Sequence, residues 1–198
     1  LIYKVVKNLR KVLNKDDIFL TTDDEVLLKQ LTGEVKILER GGKYSDDFST
    51  LIELVNWHQE NHLNEYDFIF LVLPHAVCAK PSDYKNALLK FIESEKCRLM
   101  TVSRLQSPVE WTYKIINEEL VENFPGKMLE RSQDLGHSLV NIGQFYIYKK
   151  EWFKKKDLND LDWYEMDIFQ SIDLDEPEDL ERLKMSYKLY KTISSDLA

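Results

Sequence analysis

The chain reads as one α/β domain, a largely parallel sheet with helices on both faces. Three observations predict it. Helical and strand patterns alternate to about residue 100, the rhythm of parallel strands joined by crossover helices. Phe68–Leu73 is a continuous apolar run, as in a strand buried on both faces. At 198 residues, 43% hydrophobic and 31% charged, the chain can bury a full core without disulfides or a structural metal.

Leu1–Leu13 sets Ile2, Val5, Val6, Leu9, Val12 and Leu13 on one helical face, with Lys and Arg opposite. A strand follows at Asp17–Thr21, ending in Thr21-Thr22-Asp23-Asp24. Val26–Leu31 is helical and stops at Thr32-Gly33, and Val35–Leu38 is a strand. The glycine loop Arg40-Gly41-Gly42-Lys43-Tyr44 leads to a helix over about Asp47–His62. Beyond Phe68–Leu73, Pro81–Glu95 forms a helix with proline in its first turn, and Arg98–Ser103 forms a strand. Residues 106–141, with Pro108, Pro125, Gly126 and Gly136 among short pieces such as Tyr113–Ile116, leave the rhythm as an arm or an active-site cover. Asn141–Tyr148 returns as a strand, and Glu176–Thr192 closes as an amphipathic helix.

The net charge of −8 argues against a general nucleic-acid binder, which needs a basic surface to neutralise phosphates. It leaves room for a small anionic ligand. Cys78 and Cys97 lack C-x-x-C spacing and fit reduced thiols in a cytoplasmic protein. No run approaches the ~20 apolar residues of a membrane span. Lys4, Lys7, Arg10 and Lys11 break any signal-peptide pattern in a chain that begins at Leu1.

Ligands of open α/β sheets bind beyond the carboxyl ends of the strands. That directs attention to Thr21–Asp24, Pro74–Lys80 and the turn at Asp173–Asp175. Asp23 and Asp24 could meet a ribose or a metal, or one of them could cap the next helix. His58 and His62 share a helical face, but Gln59 stands where a zinc-protease glutamate would be. They are expected to face solvent. Asp173-Leu174-Asp175 projects two carboxylates the same way if extended, which suits Mg²⁺ sharing its shell with substrate phosphates. Asp175 and Glu178 also match a capping box. Arg131 could clamp a carboxylate through paired hydrogen bonds, or simply pair with a neighbouring acid.

Taken in order, these segments resemble the acylneuraminate cytidylyltransferases, or CMP-sialic acid synthetases, most of all the branch acting on pseudaminic acid. The matching stretches are Thr21-Thr22-Asp23-Asp24-Glu25, Arg40 with Ser45-Asp46-Asp47-Phe48-Ser49-Thr50, and Arg131-Ser132-Gln133-Asp134-Leu135. Gly143-Gln144-Phe145-Tyr146 and Ile172-Asp173-Leu174-Asp175 with Glu178-Asp179-Leu180 complete the set. The resemblance implies a three-layer, Rossmann-like nucleotide-diphospho-sugar transferase fold with an arm-like excursion. It implies that CTP and a nonulosonic acid give a CMP-sugar and pyrophosphate with Mg²⁺, in a cytoplasmic homodimer. Asp173 and Asp175 would hold the metal. Arg131 would face the sugar carboxylate, with Gln133, Gln144, Phe145 and Tyr146 shaping the pocket. Arg40, Ser49, Thr50 and Asp23 would lie near the nucleotide.

Two departures from the family pattern stand out. The family opens with a strand and an Ala-Arg-x-Gly-Ser-Lys phosphate loop, and Leu1 falls just after where that loop should end, so upstream residues are expected. Leu73-Pro74-His75-Ala76-Val77-Cys78 replaces the common Pro-Thr-Ser-Pro or Pro-Thr-Ala-Pro. Two other readings stay open at this point. One is a degenerate family member serving as a binding or scaffold subunit. The other is a nucleotide-sugar glycosyltransferase using Asp-x-Asp.

Overall fold

The computed structural model describes residues 1–40, 42–46 and 48–196. Gly41 of the glycine loop and Asp47, the expected start of the third helix, lie outside the described residues. Six helices are described: α1 (Ile2–Leu9), α2 (Glu25–Leu31), α3 (Leu51–Asn61), α4 (Pro81–Glu93), α5 (Trp152–Lys155) and α6 (Pro177–Asp196). Eight strands are described: β1 (Phe19–Thr22), β2 (Lys36–Glu39), β3 (Phe68–Val72), β4 (Arg98–Arg104), β5 (Tyr113–Ile116), β6 (Glu119–Glu122), β7 (Leu139–Lys149) and β8 (Leu161–Glu165).

The main sheet has the order β3-β7-β4-β8, and β1 pairs parallel with β2 as a separate ribbon. β7 runs antiparallel to both neighbours, while β4 and β8 are parallel. β3, β4 and β8 therefore point one way and β7 runs against them. Side chains alternate across the pleat. Phe70, Val72, Leu99, Phe145 and Ile147 join the larger core with α1, α4 and α6. Ile69, Leu71, Tyr146 and Tyr148 meet Val55 of α3 and Trp152 and Phe153 of α5 on the other face. The result is three layers. The excursion at 106–141 is capped by the hairpin of β5 and β6.

Several expectations need correction. The β3 run is half-buried rather than fully buried, because among the described residues it pairs on one side only, with β7. α3 begins at Leu51, where Thr50 and Glu53 close a reciprocal capping box. The Asp175–Glu178 box does not form. With Pro177 as the first helical residue, Asp179 occupies the third position and accepts N–H bonds from Glu176 and Asp175 at 2.9 and 3.3 Å. His58 is 3% exposed rather than solvent-facing, packed beside Trp57, with Nε2 2.8 Å from Thr21 Oγ1.

β4 and β7 lose register beyond Met100. Met100 faces Tyr146, but Val102 faces Asn141, so Ile142–Phe145 cross a single partner, Thr101. Such bulges re-aim backbone and side chains. Gly143 takes φ +63° within it, a conformation glycine adopts at little cost. Thr101 is fully buried. Its Oγ1 accepts from the amides of Gln144 (3.1 Å) and Phe145 (3.2 Å) and donates to the Phe145 carbonyl (3.1 Å).

Thr101→Val keeps the shape but strands these groups, at about 1–3 kcal/mol for each buried one left unmet. Urea unfolding should show a loss of roughly 3 kcal/mol or more, the low end for three such groups, with little change in slope. Thr101→Ser should recover most of it, and an unchanged midpoint for Thr101→Val would dismiss the role.

Burial, with the positive charges of His62 and Arg40 adding to it, pushes His58 down to about 4 from its ordinary 6.5. Between these values the unfolded chain binds a proton that the folded chain refuses. Its contribution is therefore complete above pH 6.5 and is lost as the pH falls towards 4. Melting temperature should drop across that window, and His58→Phe should flatten the drop relative to wild type.

Candidate functional site

The loop after β3 is held by side chains from three elements. Asn8 Nδ2 of α1 donates to the Ala79 carbonyl (2.9 Å), Gln170 Nε2 to that of Cys78 (2.9 Å), and the Tyr84 hydroxyl of α4 to that of Ala76 (3.3 Å). Backbone polar groups buried in a loop need such partners. Pinned this way, the loop presents His75, 7% exposed, towards β7. Its Nε2 lies 3.1 Å from the Gly143 carbonyl and 3.3 Å from Asp173 Oδ1.

The segment carrying Asp173 is irregular but two-faced in its burial. Ile172 and Leu174 pack against the larger core, while Asp173 and Asp175 face solvent. Gln144 Nε2 donates to the Ile172 carbonyl at 3.3 Å and fastens this segment to the bulge. Gln144 is fully buried, and its Oε1 has no partner. A methyl group placed on Gly143 would meet Asp173 Oδ2 at 3.4 Å and the Tyr146 hydroxyl at 3.8 Å. The Tyr146 hydroxyl is itself bonded to the Asn141 side chain. The carboxyl end of β3, the bulge of β7 and the Asp173 segment thus meet at one place.

The sequence-predicted residues divide among several places. Asp173, Gln144 and Tyr146 belong to this cluster, and Asp175 is exposed nearby in sequence. Phe145 points the other way, ringed by Phe70, Tyr84 and Tyr164 in the core. Arg40 donates to the Tyr44 carbonyl at 2.6 Å. Ser49 donates to the Lys43 carbonyl at 2.9 Å and lines a separate polar hollow of about 210 Å³ with Lys43, Tyr44, Asn56 and Lys156. Thr50 caps α3. Asp24 rather than Asp23 caps α2, accepting from Val26 and Leu27, and Asp23 is exposed. On the arm, Arg131 grips Asp134 through two bonds of 2.8 and 3.1 Å, and Gln133 is exposed.

His75, Asn141 and Thr101 are the members that sequence reasoning missed. His75 did carry a signal, as the odd residue in a loop where hydroxyls are usual. Thr101 carried none. Burial pushes the neighbouring Cys78 thiol up to about 11, so the loop supplies no thiolate nucleophile. Both cysteines are free.

Among the described residues no group of three or more His, Cys, Asp or Glu side chains is placed to hold a metal. Two carboxylates from alternate residues nevertheless suit a hard divalent ion whose remaining shell is water and substrate phosphate. No described helix is long and apolar enough to cross a membrane.

No protein-family model matches the sequence, and no curated protein matches it. Solved structures do. One is a CMP:2-keto-3-deoxy-manno-octonic acid synthetase complexed with CTP, 13% identical, with a TM-score of 0.65 over 94% of this chain and 88% of that one. Another is the 4-diphosphocytidyl-2C-methyl-D-erythritol synthase of Anaerococcus prevotii, 10% identical, with a TM-score of 0.62 over 95% and 85%. At such identities the likeness speaks for architecture, and the chain has the α/β fold of the nucleotide-diphospho-sugar transferases.

Proposed function

We propose that the chain is a cytidylyltransferase that moves CMP from CTP to the anomeric hydroxyl of a nonulosonic acid of the pseudaminic type. The carrying observation is Asp173, an exposed carboxylate set beside the β7 bulge at the carboxyl end of β3, with the exposed Asp175 close behind it in sequence. The fold supports it, since two solved proteins of this architecture bear cytidine in their names and one was solved with CTP. The acid named in the first is itself a 2-keto sugar acid.

In this reaction the hydroxyl oxygen attacks the α-phosphorus, the bond to the β-phosphate oxygen breaks, and pyrophosphate leaves with that electron pair. The hydroxyl proton passes to solvent. Asp173 and Asp175 would hold Mg²⁺, which when bound would neutralise charge on the phosphates. Arg131 receives the sugar carboxylate in the paired geometry it now gives Asp134. Gln133, Gln144 and Tyr146 shape the sugar pocket, and Phe145 braces it from the core. Arg40, Ser49, Thr50 and Asp23 serve the nucleotide side. The reaction belongs in the cytoplasm, in keeping with free thiols.

The arm supports a homodimer. Leu129 is 91% exposed, Ile115 75% and Leu120 71%, with Ile115 and Leu120 opposite each other in the hairpin, exposed apolar side chains of the kind found at protein interfaces.

Incubation with CTP, Mg²⁺ and a panel of nonulosonic acids should release pyrophosphate and yield a CMP-sugar by mass spectrometry. Asp173→Asn should lower kcat by roughly 100-fold or more, as losing one charge-stabilising contact does. No pyrophosphate with any acid in the panel would sink the reading. Light scattering should find a dimer that the double change Ile115→Glu and Leu129→Glu converts to a folded monomer. A wild-type monomer at micromolar concentration would end the case for the arm as an interface.

A further inference from the structure

We infer that Asn141 is a positioning residue, holding the Tyr146 hydroxyl so that it donates to a hydroxyl oxygen of the sugar acid over Gly143. This deepens the cytidylyl-transfer reading and rests on it. On an undisturbed strand, residues five apart point to opposite faces and stand ~16 Å from one another. The bulge brings these two together. Asn141 Nδ2 lies 3.0 Å from the Tyr146 hydroxyl oxygen, and Asn141 Oδ1 lies 3.2 Å from it. The backbone dictates how the amide is turned, because the Gly143 N–H donates to Oδ1 at 3.1 Å and can meet only an oxygen. Nδ2 therefore faces the phenol as a donor. With its oxygen engaged by Nδ2, the phenol has one proton left to place. In the free chain that proton rests on Oδ1, which already receives the Gly143 amide. A ligand oxygen can take it without disturbing the Nδ2 bond.

The space beside this hydroxyl is built by three elements. A side chain on Gly143 would stand 3.4 Å from Asp173 Oδ2, 3.8 Å from the Tyr146 hydroxyl and 4.0 Å from His75 Nε2. Glycine at φ +63° leaves that niche open, and Asp173, its side chain 53% exposed, keeps one wall in solvent. The Tyr146 ring is fixed from behind, packed against the smaller core and stacked on Tyr148 with centroids 6.2 Å apart. A carboxylate brought to this niche would meet the like charge of Asp173, a costly juxtaposition. The group that fits is a sugar hydroxyl, which is neutral and accepts from Tyr146.

The test is steady-state kinetics on wild type, Asn141→Asp, Tyr146→Phe and the double variant, with KM for the sugar acid, KM for CTP and kcat read separately. Asn141→Asp keeps an oxygen for the Gly143 amide, and with it the bulge. It removes the Nδ2 donor and offers the phenol proton a charged, stronger acceptor. It should raise KM for the acid about 3–10-fold, the worth of one hydrogen bond, with KM for CTP within a factor of two or so. Tyr146→Phe should do the same, and adding Asn141→Asp to it should cost less than about twofold more, because residues that act through one another do not add. An unchanged KM for the acid in Asn141→Asp overturns the inference, since Asn141 would then serve only the Gly143 amide. A full penalty in the Tyr146→Phe background also overturns it, as a direct effect of the added charge, and so does an equal rise in both KM values. Should Asn141→Asp fail to melt cooperatively, Asn141→Ser carries the same expectation, because its hydroxyl can accept from the Gly143 amide and it has no amide to reach Tyr146. A wild-type chain that turns over no sugar acid is a different result, because it overturns the cytidylyl-transfer reading and this inference with it.

Discussion

Where β7 parts from β4, four residues cross one partner, and their amides and carbonyls would be buried without bonds unless something met them. The Thr101 hydroxyl meets three of these groups at once. Without it the strand would have to straighten and slide back into register, flipping every side chain beyond the slip to the other face. Gly143 would then lose its turn towards His75, and Gln144 its hold on the Ile172 carbonyl. The cluster around Asp173 is thus a consequence of how one buried hydroxyl lets a central strand deviate.

The same economy runs through the loop after β3. Its carbonyls are taken by an asparagine, a glutamine and a tyrosine that lie far apart in sequence. Each donor sits on a packed element, so the loop inherits the rigidity of the core. The exposed acids, by contrast, belong to an irregular segment fastened by the packing of Ile172 and Leu174 and by a few bonds. Rigid donors facing a lightly held acid form a site whose order comes from behind.

Much of the fold was legible in the residues. The apolar face of α1, the amphipathic α6 and the apolar run of β3 followed from periodicity, and Pro81 marked the start of α4. β8 was not legible, because Leu161–Glu165 is short, carries Asp162 and Glu165, and lies at the sheet edge, where charge is tolerated. His58 misled because helical spacing shows which residues share a face but not whether a neighbour covers it. Trp57 and Thr21 are what enclose it. The bulge was invisible for a related reason. Thr101 is an ordinary β-branched strand residue by composition, and only the register of a strand some forty positions away reveals its second duty.

The antiparallel β7 also dictates an order of assembly. β3 and β4 are both made well before it, yet neither touches the other across the sheet, since β7 lies between them. Until the chain has been synthesised through Lys149, the two earlier strands have no shared ladder, and the pairing that joins them spans long sequence separations. Contacts of that kind are slow to close. The strand that joins β3 to β4 also carries Gly143, Gln144 and Tyr146, so the cluster around Asp173 cannot form before β7 is in place. A ligand that needs this cluster will therefore favour the chain in which β7 is paired.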